Sequence, residues 1–218
     1  MDERAALTEM WPLFGLAVRT PRLELRYPTD ADLVALAALT DDIHDPGFLP
    51  FCQPWSLAPA DERERGTLQF HWRTRAELTA ADWQVALVTV VDGAVVGTQE
   101  LQAKGFAVRR TVSSGSWLHR PRQGQGLGRE MREAILHLAF EGLGAARAET
   151  EAFEGNDASM AVTRAVGYRP NGDFLHDGGD LGARPGQRFV LERSTWEQRR
   201  RDDIDLVGVD ACRPLLGA

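Results

Sequence analysis

The stretch QGQGLGR, Gln123 to Arg129, sets glycines at 124, 126 and 128 directly before an amphipathic pattern. Glycine at that density suits neither a helix interior nor a strand interior. At a helix start it leaves backbone N–H groups bare. Those groups and the positive end of the helix dipole favour an anion such as a phosphate or pyrophosphate. Other uses of glycine fit less well. A dinucleotide fingerprint needs GxGxxG and an acid about 20 residues further on; Gly126-Leu-Gly128-Arg-Glu-Met lacks the third glycine. A P-loop needs Gly-Lys followed by Ser or Thr, and none follows. A flexible turn is the plain alternative, but the loop sits between a strand pattern and a well-formed helix pattern.

The flanking elements must position this loop. SSGSWLH (113–119) reads as a strand entering it. From Arg129 to Leu143 the pattern is helical: Met131, Ala134, Ile135, Leu138 and Ala139 fall on one face, with Gly142 and Gly144 as stop signals. Upstream, TPRLELR (20–26) alternates as a strand, and DADLVALAALTD (30–41) reads as a helix with an Asp at its N-cap. Residues 45–60 are rich in proline and aromatics and read as an ordered loop; 61–79 are charged and helical. WQVALVTVVDGAVVGTQEL (83–101) is a hairpin around Asp92-Gly93. AARAETEAF (145–153) fits a strand, Asp157 to Val166 a short helix ended by Gly167, and RFVLERS (188–194) a last strand, before a charged helix-like run, WEQRRRDDID. Mixed helices and strands with an antiparallel hairpin predict an α+β fold.

Three stretches resemble one family, the GNAT superfamily of N-acetyltransferases, in its branch that acetylates ribosomal-protein N-termini. Gln123-x-x-Gly126-x-Gly128 resembles its pyrophosphate loop, TPRLELR its first strand, and AETEAFEGNDASMAVTRAVGYRPNG (148–172) its second signature, a strand, Asn-x-x-Ser and a short helix ending in Gly-aromatic. The resemblance covers roughly residues 20–195. It implies a mixed, mostly antiparallel sheet with a V-shaped opening and helices on both faces. The division it suggests is an N-terminal extension (1–18), an acyltransferase domain (19–195) and a C-terminal extension (196–218).

The resemblance also implies a chemistry. The donor is acetyl-CoA or another acyl-CoA such as succinyl-CoA. Its pyrophosphate rests on the loop of Gln123, Gly124, Gln125, Gly126, Leu127, Gly128 and Arg129, and its pantetheine pairs with backbone around Leu118 and His119. Arg120 and Arg122 either meet its phosphates or are solvated. Asn156 is expected to bond the pantetheine and Ser159 to protonate the leaving thiolate; the alternative is that they only cap a helix. A neutral amine must attack the thioester. An α-amino group has a pKa of roughly 7.7–8.0 and a lysine about 10.4, so a base helps. Glu100 is the chosen candidate, because burial raises a carboxyl's pKa; His119, His176 and Asp177 are the others. Phe48, Phe51 and Trp55 are expected to shape the acceptor site with the 61–79 helix. Direct transfer in a ternary complex is favoured over a covalent intermediate on Cys52. The acceptor is a protein N-terminus or a small amine. An N-succinyltransferase, or an acyl-CoA sensor without turnover, remains the alternative.

Bulk properties narrow the setting. A net charge of −7 argues against a nucleic-acid partner. Cys52 and Cys212 have no metal-ligand spacing, and no metal is expected. The N-terminus has no signal-peptide pattern, and the most apolar stretch, interrupted by Asp92-Gly93, is too short to span a membrane. A cytoplasmic enzyme is expected. The apolar MWPLFGLAV (10–18) would pack on the core or on a second subunit, so a homodimer or higher oligomer is possible.

Overall fold

The computed structural model describes residues 3–45 and 47–218. Met1 and Asp2 of the expected extension and Pro46 of the expected loop lie outside the described residues. Along the chain run α1 (Glu3–Met10), β1 (Ala17–Arg19), β2 (Glu24–Arg26), α2 (Asp30–Ala37), α3 (Ala60–Ala76), β3 (Asp82–Val91), β4 (Ala94–Lys104), α4 (Phe106–Arg109), β5 (Thr111–Leu118), α5 (Leu127–His137), β6 (Arg147–Phe153), α6 (Asp157–Val166), β7 (Arg169–Asp177), β8 (Ala183–Glu192), α7 (Arg193–Glu197), β9 (Asp205–Val207) and α8 (Val209–Leu216).

The strands form one sheet in the order β7-β8-β6-β5-β4-β3-β2-β1-β9. Every described pairing is antiparallel except β5 with β6. The α+β expectation therefore holds. The β3–β4 hairpin turns where its sequence demands, with Asp92 and Gly93 both at positive φ. Its strands are buried almost throughout because both faces are covered. On one face Leu33 and Leu36 of α2 pack with Val88 and Val90. On the other, Met131, Ala134, Ile135, Leu138 and Ala139 of α5 and the turn after it join Val85, Leu87 and Leu101 in the main core. That is the apolar stripe read from the sequence.

Several local readings change. The cap of α2 is Thr29, not an Asp: its hydroxyl accepts from the Asp32 amide while Asp32 accepts from the Thr29 amide, a reciprocal capping box. α5 starts two residues earlier than expected and ends in a π turn over Leu138–Gly142. FLHDGGD, expected as a loop, begins as β7, so His176 and Asp177 sit on a strand.

The chain ends join the same sheet. β1 crosses the boundary drawn at residue 19 and pairs with both β2 and β9. RFVLERS is therefore not the last strand. Leu13 and Leu16 are fully buried, so the apolar N-terminal stretch packs on this chain's own core. Trp83 Nε1 donates to the Leu216 carbonyl at 2.8 Å, and Cys212 is buried against the same core. Each buried apolar side chain contributes about 1.5–3 kcal/mol. Truncation after Asp203 is expected to lower the thermal midpoint by at least about 5 °C, since 1 kcal/mol moves a chain of this size by roughly 2–4 °C. An unchanged melting curve would show the segment to be idle.

Candidate active site

The loop into α5 takes the shape its glycines permit. Gly124 and Gly126 lie at φ +71° and +79°, where a side chain is strained. Gly126 is the N-cap of α5. Gly128 differs: a Cβ there would make only ordinary contacts with Leu118 and Val162. Among the described residues, none of the amides of Gly124, Gln125, Gly126, Leu127, Gly128 and Arg129 donates to a protein acceptor. They gather at a helix N-terminus, the arrangement that holds a phosphate. The Gln123 side chain fixes the loop from behind, its Nε2 donating to the carbonyls of Leu118 (2.8 Å) and Ile43 (2.7 Å).

One brace escaped the sequence reading. Arg22 donates to the Gln125 carbonyl at 3.0 Å and to Glu130 Oε2 at 2.6 Å. Glu130 is buried; burial alone would raise its pKa, but hydrogen bonds from Thr20 and Arg22 hold it below the usual carboxylate range. The signal lay in TPRLELR, whose Arg22 is the residue that reaches the loop. Arg120 pairs with Asp42 at 2.5 Å, whereas Arg122 makes no ion pair among the described residues.

From this loop a bare strand edge leads into the sheet. β5 pairs with β6 only over Thr111–Ser113, beyond which β6 diverges while staying paired on its other edge with β8, from Arg147 to Phe153. On its other side β5 stays paired with β4 to Leu118. The exposed edge can be read residue by residue. The carbonyls of Ser114 and Leu118 face the gap, where they accept from Thr150 Oγ1 (3.1 Å) and Gln123 Nε2. The His119 amide faces the opposite way, donating to the Val96 carbonyl at 2.9 Å. Alternation puts both polar backbone groups of Ser116 and the amide of Leu118 in the gap without a strand partner. His119, expected to offer backbone here, has its amide and carbonyl engaged elsewhere, the latter with the Arg122 amide.

Beside the gap, a pocket of about 720 Å³ opens between α3 and the β3–β4–β5 face. Phe51, Trp55 and Trp117 wall it, with Phe51–Trp55 centroids at 4.9 Å and Trp55–Trp117 at 6.1 Å. Phe48, also expected here, lies against Gly155. Glu100 lines the pocket opposite Gly115 of β5, and its Oε2 accepts from Gln84 Nε2 at 2.8 Å. Burial pushes its pKa up, with Gln84 working against it. The α3 residue His71 is 3% exposed, and burial lowers its pKa to about 4, so it adds no charge at neutral pH.

The remaining candidates are placed as follows. Asn156 Oδ1 accepts from the Ser159 amide at 3.1 Å and caps α6, which leaves its Nδ2 and the Ser159 hydroxyl without a described partner. His176 Nε2 contacts the Cys52 carbonyl at 2.9 Å, and Asp177 accepts from the Gly179 amide. Arg184 donates to the carbonyls of Leu49 and Phe51 and lies 3.8 Å from the Phe153 ring centroid. His176 and Arg184 thus pin the pocket wall to β7 and β8. Cys52 is exposed, and partial desolvation together with the charge of Glu151 raises its thiol pKa, which disfavours a nucleophilic thiolate. Among the described residues no group of three or more His, Cys, Asp or Glu is placed to hold a metal, and no helix is long and apolar enough to cross a membrane.

Comparison with known proteins agrees with this geometry. The fold is shared with an acetyltransferase of the GNAT family from Bacillus anthracis (17% identity, TM-score 0.64, covering 82% of this chain and 99% of that one). It is shared with Mycobacterium smegmatis RimJ in complex with CoA-disulfide (20%, TM-score 0.62, 84% and 88%). It is also shared with the ribosomal-protein-S5-alanine acetyltransferase of Vibrio fischeri (15%, TM-score 0.60, 83% and 98%). Residues 22–169 match the acetyltransferase (GNAT) domain model, and the chain belongs to the GNAT family of N-acetyltransferases.

Proposed function

We propose that this protein transfers an acyl group, acetyl in the simplest case, from its CoA thioester to a primary amine by direct attack. The observation that carries the reading is the continuity of three features. Orphan amides at the start of α5 suit a pyrophosphate, the bare edge of β5 suits the amides of a pantetheine arm, and Glu100 stands in a pocket beside that edge. The neighbour in complex with CoA-disulfide supports the same donor.

In this reading Gly124 to Arg129 hold the diphosphate through backbone N–H groups. Ser116 and Leu118 align the arm as a further strand would be aligned. An amide in the gap points at the thioester oxygen and steadies the charge that grows there during attack. Asn156 bonds the arm, and Ser159 donates a proton to the departing sulfur. The amine enters through the aromatic pocket. Its excess proton passes to Glu100, whose raised pKa brings the carboxylate nearer to the amine's own proton affinity. The aromatic walls suit either a protein N-terminus or a small amine.

Three measurements test this. Gly126→Val should weaken binding of acetyl-CoA at least about tenfold, roughly 1.4 kcal/mol, in a protein whose circular dichroism is unchanged. Gly128→Ala is the sharper companion: the fold has room for its Cβ, so lost affinity there reports the ligand. If both variants bind as the parent does, the loop does not hold the cofactor.

The pH dependence of kcat/KM should show an acidic limb above the ordinary carboxylate range, with rate falling as pH drops through it, because Glu100 must be ionised to accept a proton. Glu100→Gln should remove the limb and slow turnover by about 10²–10⁴-fold. Gln84→Leu should move it to higher pH, since a hydrogen bond that lowers the pKa is lost. A limb that persists in Glu100→Gln assigns the base elsewhere.

Ser159→Ala separates an enzyme from a sensor. Turnover should drop at least about tenfold, the size of 1.4 kcal/mol in a barrier, while affinity for CoA holds. Absence of turnover in the parent with any amine tried, alongside intact CoA binding, would favour the sensor.

A further inference from the structure

α3 turns one face to the aromatic pocket. Arg63, Gly66, Phe70 and Arg73 follow one another at intervals of three and four residues, and all four line it. Gly66 stands in the interior of α3, where glycine is a weak helix former. Its backbone does not require glycine: it is helical, and a Cβ there would meet nothing within 4 Å. The missing side chain leaves space that the protein itself does not fill.

The same face holds a cation without a counter-ion. Arg63 is half-buried, and its Nη1 donates to the Ala58 carbonyl at 2.7 Å. Its buried Nε has no acceptor, and the side chain makes no ion pair among the described residues. Glu62 also lines the pocket, but it is exposed and forms no ion pair with Arg63. Arg73 lies over the Phe70 ring, 5.9 Å from its centroid. Arg63 stands in the first turn of α3, where the positive end of the helix dipole adds to its charge. A guanidinium so placed is best answered by a carboxylate.

The acid of the pocket stands across from it. Arg63 belongs to the α3 wall and Glu100 to the sheet wall. Gly115 keeps the approach to Glu100 open, since a Cβ there would lie 3.8 Å from Glu100 Oε2. Phe51, Trp55 and Trp117 supply apolar surface to the same pocket. A base on one wall, a cation on the other and rings beside them describe a molecule with an amine, a carboxylate and an apolar body.

We infer that the acceptor is a small amino acid with an apolar body, its amine at Glu100, its carboxylate at Arg63 and its body over Gly66. This rests on the acyl-transfer reading above and names its acceptor class. The reaction is unchanged: a C–N bond forms, the C–S bond breaks, the amine proton passes to Glu100, CoA leaves as its thiol, and the acceptor's carboxylate takes no part. A protein N-terminus carries a neutral amide after its first residue and leaves Arg63 unanswered.

Steady-state kinetics with acetyl-CoA and two matched pairs of amines test the inference. The pairs are L-phenylalanine with phenylalaninamide, and 4-(aminomethyl)benzoate with 4-(aminomethyl)benzamide; each differs only in carboxylate against carboxamide, at a short and a long distance from the amine. Arg63→Gln should lower the carboxylate-to-carboxamide ratio of kcat/KM at least tenfold in one pair, through KM, with calorimetric affinity for acetyl-CoA unchanged. Parent and variant meet the same amines, so differences in amine basicity cancel. Gly66→Leu places a better helix former in open space and should not lower the thermal midpoint. It should raise KM for the same carboxylate at least fivefold, and it serves also where Arg63→Gln does not fold. A ratio that Arg63→Gln leaves unchanged in both pairs overturns the inference, as does an unchanged KM in Gly66→Leu. Acetylation of a serine- or alanine-initiated peptide but of none of the four amines overturns it too and leaves acyl transfer standing. No turnover with peptide or amine overturns both.

Discussion

Backbone amides and carbonyls must be paired when they leave water, and this fold withholds partners along one short edge. β6 accompanies β5 for three residues and then diverges, still paired on its other edge with β8. The gap persists because both ends are pinned by side chains. Thr150 ties off the Ser114 carbonyl at the vertex, and Gln123 ties off the Leu118 carbonyl at the mouth. Between them both polar backbone groups of Ser116 and the amide of Leu118 have no strand partner. The glycine loop is placed by the same device, since the Gln123 that closes the mouth also anchors the loop to the Ile43 carbonyl. Loop and gap therefore share one anchor, the Gln123 side chain.

Charge around the loop is arranged so that the one buried carboxylate near it is fully engaged. Glu130 sits in the first turn of α5, where a carboxylate would compete with a phosphate for the helix dipole. Thr20 and Arg22 engage both of its oxygens, and Arg22 also donates to the Gln125 carbonyl. Arg201 adds a longer contact to Glu130 at 3.9 Å, and a closer one to Glu133 at 3.2 Å, from the segment leading to β9. The two chain ends are thus coupled to the loop by ion pairs as well as to the sheet by β1 and β9.

The sequence disclosed what is local and periodic. The α5 stripe, the Asp92-Gly93 hairpin and the limits of α6 are set by spacing within a few residues, and the structure has them where the pattern puts them. The glycine loop was readable for a mixed reason. Two of its glycines answer a backbone at positive φ, and the third leaves room that the protein itself does not use. Long-range relations were not readable. Arg132 looks like an ordinary polar position of a helix surface, in GREMREA (128–134), until β6 and Tyr168 close over it. β9 is three residues long and gains its meaning only from β1 beside it. β7 is an exposed edge strand without the alternation that marks a half-buried one, so FLHDGGD resembled a loop.

The same limit explains why His119 and His176 read as candidate bases although the fold gives them and the other pocket histidines different work. His176 and His44 are bonded to the wall of the pocket, His176 to the Cys52 carbonyl and His44 to Ser56. His71 faces the pocket, but burial has lowered its pKa to about 4, which makes it a weak acceptor of an amine's proton. Burial acts with opposite sign on a carboxyl, because there the charged form is the basic one. The desolvation that disarms His71 therefore strengthens Glu100 as a base in the same pocket. Gln84 limits that gain by hydrogen-bonding one carboxylate oxygen and orients the group as it does so. Drying thus acts with opposite sign on two side chains of one pocket, and Glu100 is the one whose basicity it raises, on the sheet face that β4 shares with Gly115 and Trp117 of β5.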